Sequence, residues 1–92
     1  MLCLGLWTSS LSAQTPLLVG TYTDKNASQG IYVYDFNEDS GEAMLLSTTM
    51  TDNPSFLAKS KDNAYVYAVN ELGAEEASLE AFAFNGESLS LI

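Results

Sequence analysis

Apolar and polar residues alternate with a period of two along most of this chain, the pattern of strands that bury one face. Ile31–Phe36 sets Tyr32, Tyr34 and Phe36 against Ile31, Val33 and Asp35, so both faces are largely apolar and cover is expected on both sides. Leu17–Thr23 is β-branched and aromatic with Gly20 inside it, which marks a strand that another backbone approaches closely. Asn37-Glu38-Asp39-Ser40-Gly41 reads as a hairpin turn into a returning strand, Ala43–Met50. Asn53-Pro54 breaks the pattern, and Phe56–Lys59 begins a new strand. Lys61-Asp62-Asn63 is a turn into Ala64–Glu71, followed by a loop over Asn70–Ser78 in which Ala74–Ala77 could form one helical turn. Leu79–Phe84, the turn Asn85-Gly86-Glu87 and Leu89–Ile92 complete seven strands, split three and four.

A weak repeat underlies the split. Leu18–Asn37 recurs in hydrophobic pattern 48 residues later as Val66–Asn85, aligning Ile31, Tyr34, Phe36 and Asn37 with Leu79, Phe82, Phe84 and Asn85, and Gly20 with Ala68. A strand-built period of 20 to 50 residues indicates stacked units, and antiparallel meanders of four strands repeated radially are propeller blades. The expected fold is therefore all-β: antiparallel meander blades of an incomplete β-propeller. The second unit has four strands from Phe56 onward; the first lacks the counterpart of Phe56–Lys59, the inner strand that the C-terminus of a longer chain would supply.

Composition narrows the function. Twelve acidic residues against three lysines, with no Arg or His, give a net charge of −9. Nucleic acid is an unsuitable partner without a basic patch to neutralise phosphates. The lone Cys3 excludes an internal disulfide. Residues 1–14 read as a signal-peptide-like segment: Leu2, Leu4, Leu6 and Trp7 form a short apolar run, and Ala13 suits the last position before cleavage. No Lys or Arg precedes the run and bulky Leu11 stands where a small residue is preferred, a pattern reconciled by a true start upstream. Export to the periplasm or outside is expected, with a buried first strand in a cytoplasmic protein as the alternative. The run is shorter than the ~20 apolar residues a spanning helix needs, so no membrane span is expected.

The ordered motifs Val19-Gly20-Thr21-Tyr22-Thr23, Gly30-Ile31-Tyr32-Val33-Tyr34-Asp35-Phe36, Ser40-Gly41, Asn53-Pro54-Ser55-Phe56-Leu57-Ala58, Lys61-Asp62-Asn63 and Tyr67-Ala68-Val69-Asn70-Glu71 resemble the N-terminus of the lactonase family of seven-bladed propellers. That family includes propeller-type 6-phosphogluconolactonases and fungal carboxy-muconate lactonizing enzymes. Lys61 stands where the family commonly has Pro. The resemblance covers about residues 17–92 and makes residues 15–92 the first two of seven blades. It implies a lactone hydrolase acting on a sugar lactone, 6-phosphogluconolactonase-like when full length, with its substrate cleft at the mouth of the central channel. The rival reading is a non-catalytic exported propeller that binds protein or glycan.

Successive connections of a meander alternate between its two ends, so Thr23–Gly30, Asp52–Ser55 and Asn70–Ser78 share one rim. This selects Asp24, Asn53, Asn70 and Glu71 as residues within reach of a ligand. Glu71 is the catalytic candidate, as a general base or as the group orienting water toward a lactone carbonyl; otherwise it caps a turn. Asn70 and Asn53 are candidates for binding substrate hydroxyls, and their alternative is to satisfy local backbone. Without His or Arg, and with its only cysteine in the leader, the chain cannot assemble a Ser-His-Asp or Cys-His site or an arginine clamp for phosphate. No cofactor or metal is expected: Asp35–Gly41 imitates a calcium loop, but its Gly falls one place late and Leu46 stands where a bidentate Glu is needed. Asn26-Ala27-Ser28 is a glycosylation sequon only in a secreting eukaryote.

Overall fold

The computed structural model describes residues 14–24, 27–73 and 76–92. Residues 1–13 of the signal-like segment, with Cys3, lie outside them, as do Lys25, Asn26 of the sequon and Ala74 and Glu75 of the expected helical turn, while Gln14, the last residue of that segment, opens the first strand. Seven strands follow in order: β1 (Gln14–Gly20), β2 (Gly30–Asn37), β3 (Ala43–Met50), β4 (Pro54–Lys59), β5 (Tyr65–Gly73), β6 (Glu76–Phe84) and β7 (Leu89–Leu91). They form a three-stranded sheet, β1-β2-β3, and a four-stranded sheet, β4-β5-β6-β7, each a meander of sequence neighbours. All pairs are antiparallel.

The core lies between the two sheets. Leu18 pairs with Val33 and Gly20 with Ile31, so these four share one face of the first sheet. That face meets Val66, Ala68, Phe82 and Leu89 of the second, with Leu57 and Phe84 packed at the margin. The approach is tightest at Gly20, where a Cβ would lie 2.3 Å from the Pro54 carbonyl oxygen. Here is the close backbone approach expected from a glycine inside a strand. The sheets come nearest along β1 and β4, the edge strands of the two sheets on one side.

The outer faces are bare in this chain. Phe56 and Leu79 are 67% and 69% exposed, and Tyr65 and Tyr67 stand on the same face. On the first sheet, Tyr32, Tyr34 and Phe36 are only half-buried, so β2 has one covered face instead of the expected two.

Strand ends differ from the expected ones where polar residues join the ladder. β5 and β6 pair through Asn70↔Ser78, Glu71↔Ala77 and Gly73↔Glu76, so what reads as a loop is largely hairpin, and Ala77 is in a strand, not a helical turn. β1 begins at Gln14, paired with Asn37, and stops at Gly20 because Thr21–Thr23 turn their hydrogen bonds to other partners.

Register also refines the repeat. Gly20 pairs with Ile31 and Val69 with Leu79. With Ile31 and Leu79 48 residues apart, Gly20 corresponds to Val69 and Leu18 to Tyr67, not to Ala68 and Val66. The spacing is thus 48 for β2 and β6 but 49 for β1 and β5. The identical asparagines confirm the former. Asn37 Oδ1 accepts the backbone N–H groups of Asp39 and Ser40 at 2.9 and 3.0 Å, and Asn85 Oδ1 those of Glu87 and Ser88 at 2.9 and 2.8 Å. Asp35–Gly41 is therefore strand end and hairpin turn, with Gly41 at φ +80°.

Candidate functional site

Three segments converge at one end of the two sheets: the connection after β1, the β3–β4 connection, and the far end of β5. Asn53 ties them together. It is 7% exposed and adopts φ 43°, a left-handed conformation that Asn tolerates better than most residues. Its Oδ1 accepts from the Thr23 backbone N–H at 2.7 Å, and its Nδ2 donates to the Glu71 carbonyl at 2.9 Å. Its own carbonyl accepts the Glu71 N–H at 3.1 Å. One asparagine thereby joins a loop of the first sheet to β5 of the second.

Asn70 is more enclosed, at 3% exposure. Its Nδ2 donates to the Asp52 carbonyl at 2.7 Å and to Thr51 Oγ1 at 3.0 Å, and Thr51 in turn hydrogen-bonds Glu80. Asn70 Oδ1 is buried without a hydrogen-bond partner among the described residues. Both asparagines are thus turned to the backbone of the β3–β4 connection and its neighbours.

Glu71 points the other way. Its side chain is exposed and its Oε1 accepts a 2.8 Å hydrogen bond from the Tyr22 hydroxyl of the first sheet. The Ser55 hydroxyl, then that of Tyr22, hold the Glu71 carboxyl below the ordinary carboxylate range. The same hydrogen bond and the carboxylate's charge raise the Tyr22 hydroxyl, with Asp24 adding to the effect and Ser55 opposing it. At neutral pH the pair is a carboxylate with a phenol donor beside it. A depressed pKa makes Glu71 a weak base and keeps it ionised, able only to accept hydrogen bonds, the property of an orienting group.

The rim residues Asn53, Asn70 and Glu71 are therefore brought together, as the parity of the connections requires, and Asp24 lies close enough to act on Tyr22. Tyr22 and Ser55 escape the sequence reading. Tyr22 reads as a strand residue by β-propensity, yet Gly20 two places earlier ends the strand. Ending β1 at that glycine would place Tyr22 on the rim. At the opposite end, a cleft of about 780 Å³ opens between the start of β1 and the β4–β5 turn, lined by Pro16, Leu18, Lys59, Asp62 and Gly86 among others. No group of three or more potential metal ligands is present among the described residues.

Residues 16–92 match the family model for lactonases with a seven-bladed β-propeller. The chain belongs to this lactonase family. The two sheets are accordingly partial propeller blades. A 6-phosphogluconolactonase from Formosa agariphila is 48% identical over 56 residues, 60% of this lactonase-family chain and 16% of that protein. A crystal structure of a candidate 6-phosphogluconolactonase from Bacteroides fragilis superposes with a TM-score of 0.84 at 41% identity, over 90% of this chain and 24% of the other. The periplasmic gluconolactonase of Pseudomonas aeruginosa superposes with a TM-score of 0.74 at 31% identity, over 86% and 23%. The lactonase-family chain thus spans about a sixth of the curated relative and about a quarter of the solved ones. No helix among the described residues is long and apolar enough to cross a membrane.

Proposed function

We propose that the complete propeller carrying this chain hydrolyses a sugar lactone, in the manner named for its 6-phosphogluconolactonase and gluconolactonase relatives. The observation that carries the reading is the exposed Glu71 carboxylate, held at the blade rim by hydroxyls from two sheets. Glu71 orients a ligand hydroxyl or the attacking water, and Asn53 and Asn70 shape the rim that positions it. The acid–base and cationic groups of the reaction belong to parts of the propeller outside this chain, which has no His or Arg. We place the protein in the periplasm or outside the cell, a reading supported by the apolar leader-like run and by the P. aeruginosa protein described as periplasmic. The test is a hydrolysis assay of the complete protein on 6-phosphogluconolactone and on unphosphorylated gluconolactone, with spontaneous hydrolysis subtracted. A rate above background on either supports the reading; background rates on both sink it and leave the non-catalytic exported propeller.

A further inference from the structure

We infer that Tyr22 and Ser55, together with Glu71, form a contact for uncharged hydroxyl groups of the ligand, so that this arc of the rim takes the polyol end of a lactone and turns away its anionic end. The inference rests on the lactonase reading and adds to it the orientation of the substrate.

The three groups come from three segments that meet only because the two sheets pack: Tyr22 follows β1, Ser55 is in β4 and Glu71 in β5. They remain open to a ligand, with Tyr22 54% exposed, Glu71 exposed and Ser55 half-buried. A carboxylate offers about four lone-pair sites. Two hydroxyl donors from the protein leave sites for ligand O–H groups, and the Tyr22 and Ser55 oxygens can accept from a second. Neighbouring hydroxyls on a sugar supply donors and acceptors side by side. A phosphate dianion supplies only acceptors, and the phenol would have to leave Glu71 to meet it.

Charge points the same way. Asp24, Asp52, Glu71, Glu76 and Glu80 lie at this end of the sheets, five carboxylates against the single lysine that the sequence places in its connections, Lys25. Lys59 ends β4 and Lys61 sits in the turn beyond it. From Pro54 to Lys59 the strand spans roughly 17 Å at about 3.3 Å per residue, longer than the ~8 Å screening length at physiological salt. Neither lysine offsets the acidic end.

The experiment uses the complete propeller, unphosphorylated gluconolactone and its single-deoxy analogues. Tyr22→Phe should raise KM for the parent lactone about five- to tenfold, the factor of one hydrogen bond to a neutral group, with kcat within twofold. For one deoxy analogue, wild type and Tyr22→Phe should share the same raised KM, because the partner hydroxyl is already gone. An unchanged KM overturns the inference, and so does a rise that persists equally for every deoxy analogue, which marks a structural effect. Should wild type hydrolyse neither lactone, the proposed function falls, and calorimetric titration with the non-hydrolysable lactam of the same sugar decides the contact. Weaker lactam binding by Tyr22→Phe keeps it; no binding to wild type, or equal binding by both, overturns it.

Discussion

Gly20 and Pro54 meet backbone to backbone: a Cβ on Gly20 would stand 2.3 Å from the Pro54 carbonyl oxygen, well inside the distance real Cβ atoms keep. No rotation of a side chain can relieve that clash, because both partners are main chain. Gly20→Ala should therefore push the two blades apart and destabilise the complete propeller by about 1–3 kcal/mol, the range for overpacking a fitted interface. Denaturant unfolding measures it, and a midpoint equal to wild type would refute the contact.

Asn53 combines a left-handed backbone with bonds to Thr23 and Glu71. Asn53→Ala loses both and leaves the part-buried Thr23 N–H and Glu71 carbonyl short of a partner, for about 1–2 kcal/mol. Asn53→Gly loses the bonds but keeps the backbone freedom, so it should be milder by about 1 kcal/mol. Equal losses for the two variants would show that the conformation carries no cost.

The twin turns at Asn37 and Asn85 can be tested as a pair. Each asparagine holds two backbone N–H groups through Oδ1, so Asn85→Ala should cost about 0.5–1.5 kcal/mol while Asn85→Asp, which keeps the acceptor, stays near wild type. Asn37→Ala should behave alike, and the double variant should be additive because the turns share no partner. Thermal melts of the four proteins decide this; a harmless Asn85→Ala would remove the claim.

Glu71 gives the stability a pH dependence of known sign. Its folded pKa is depressed, first by Ser55 and then by Tyr22, so its contribution is present above the unfolded value of about 4.3 and is lost as pH falls through the folded value. Asp62, lowered by the Ser60 hydroxyl and the Ala64 N–H, acts in the same window and supplies a background. Tyr22 is raised, so its share is present below the unfolded value of about 10 and is lost in strong base. Glu71→Gln should flatten the melting-temperature profile between about pH 5 and pH 3 without abolishing it. A slope identical to wild type would mean the hydroxyls do not hold the carboxylate.

Residues 14–92 expressed alone should self-associate and bind a hydrophobic dye, because Met50, Phe56 and Leu79 expose wide apolar faces and β1 and β4 leave unpaired edges. Sedimentation checks it. A monomer with a sharp cooperative melt would contradict the expectation.

The three-plus-four meander was legible because period-two alternation and turn residues are local signals, and Ala43–Met50 matches the observed β3 throughout. The rim was less so. Asn70 and Ser78 look like loop residues by composition, but as a cross-strand pair their backbone groups are satisfied by each other, which single residues cannot reveal. Tyr22 was hidden for a similar reason: its function as a donor depends on Glu71, 49 positions away in sequence and joined to it only by the packing of two sheets. Glu71 itself was legible as a residue on the shared rim, while its protonation depended on neighbours that only the folded chain supplies.

The one-residue difference between the two spacings has a meaning for how such repeats diverge. At the Asn37 and Asn85 end, both copies keep the two Oδ1 bonds to backbone N–H groups, yet six residues separate Phe36 from its partner Ala43 and only four separate Phe84 from Leu89. At the rim, the first copy spends residues 21–29 on an irregular connection, whereas the second carries its strands almost to the tip of the hairpin. The two copies thus differ in the length of the connection at both ends and agree in the strands between them. A connection can gain or lose a residue or two at either end without disturbing the face that stacks the blades.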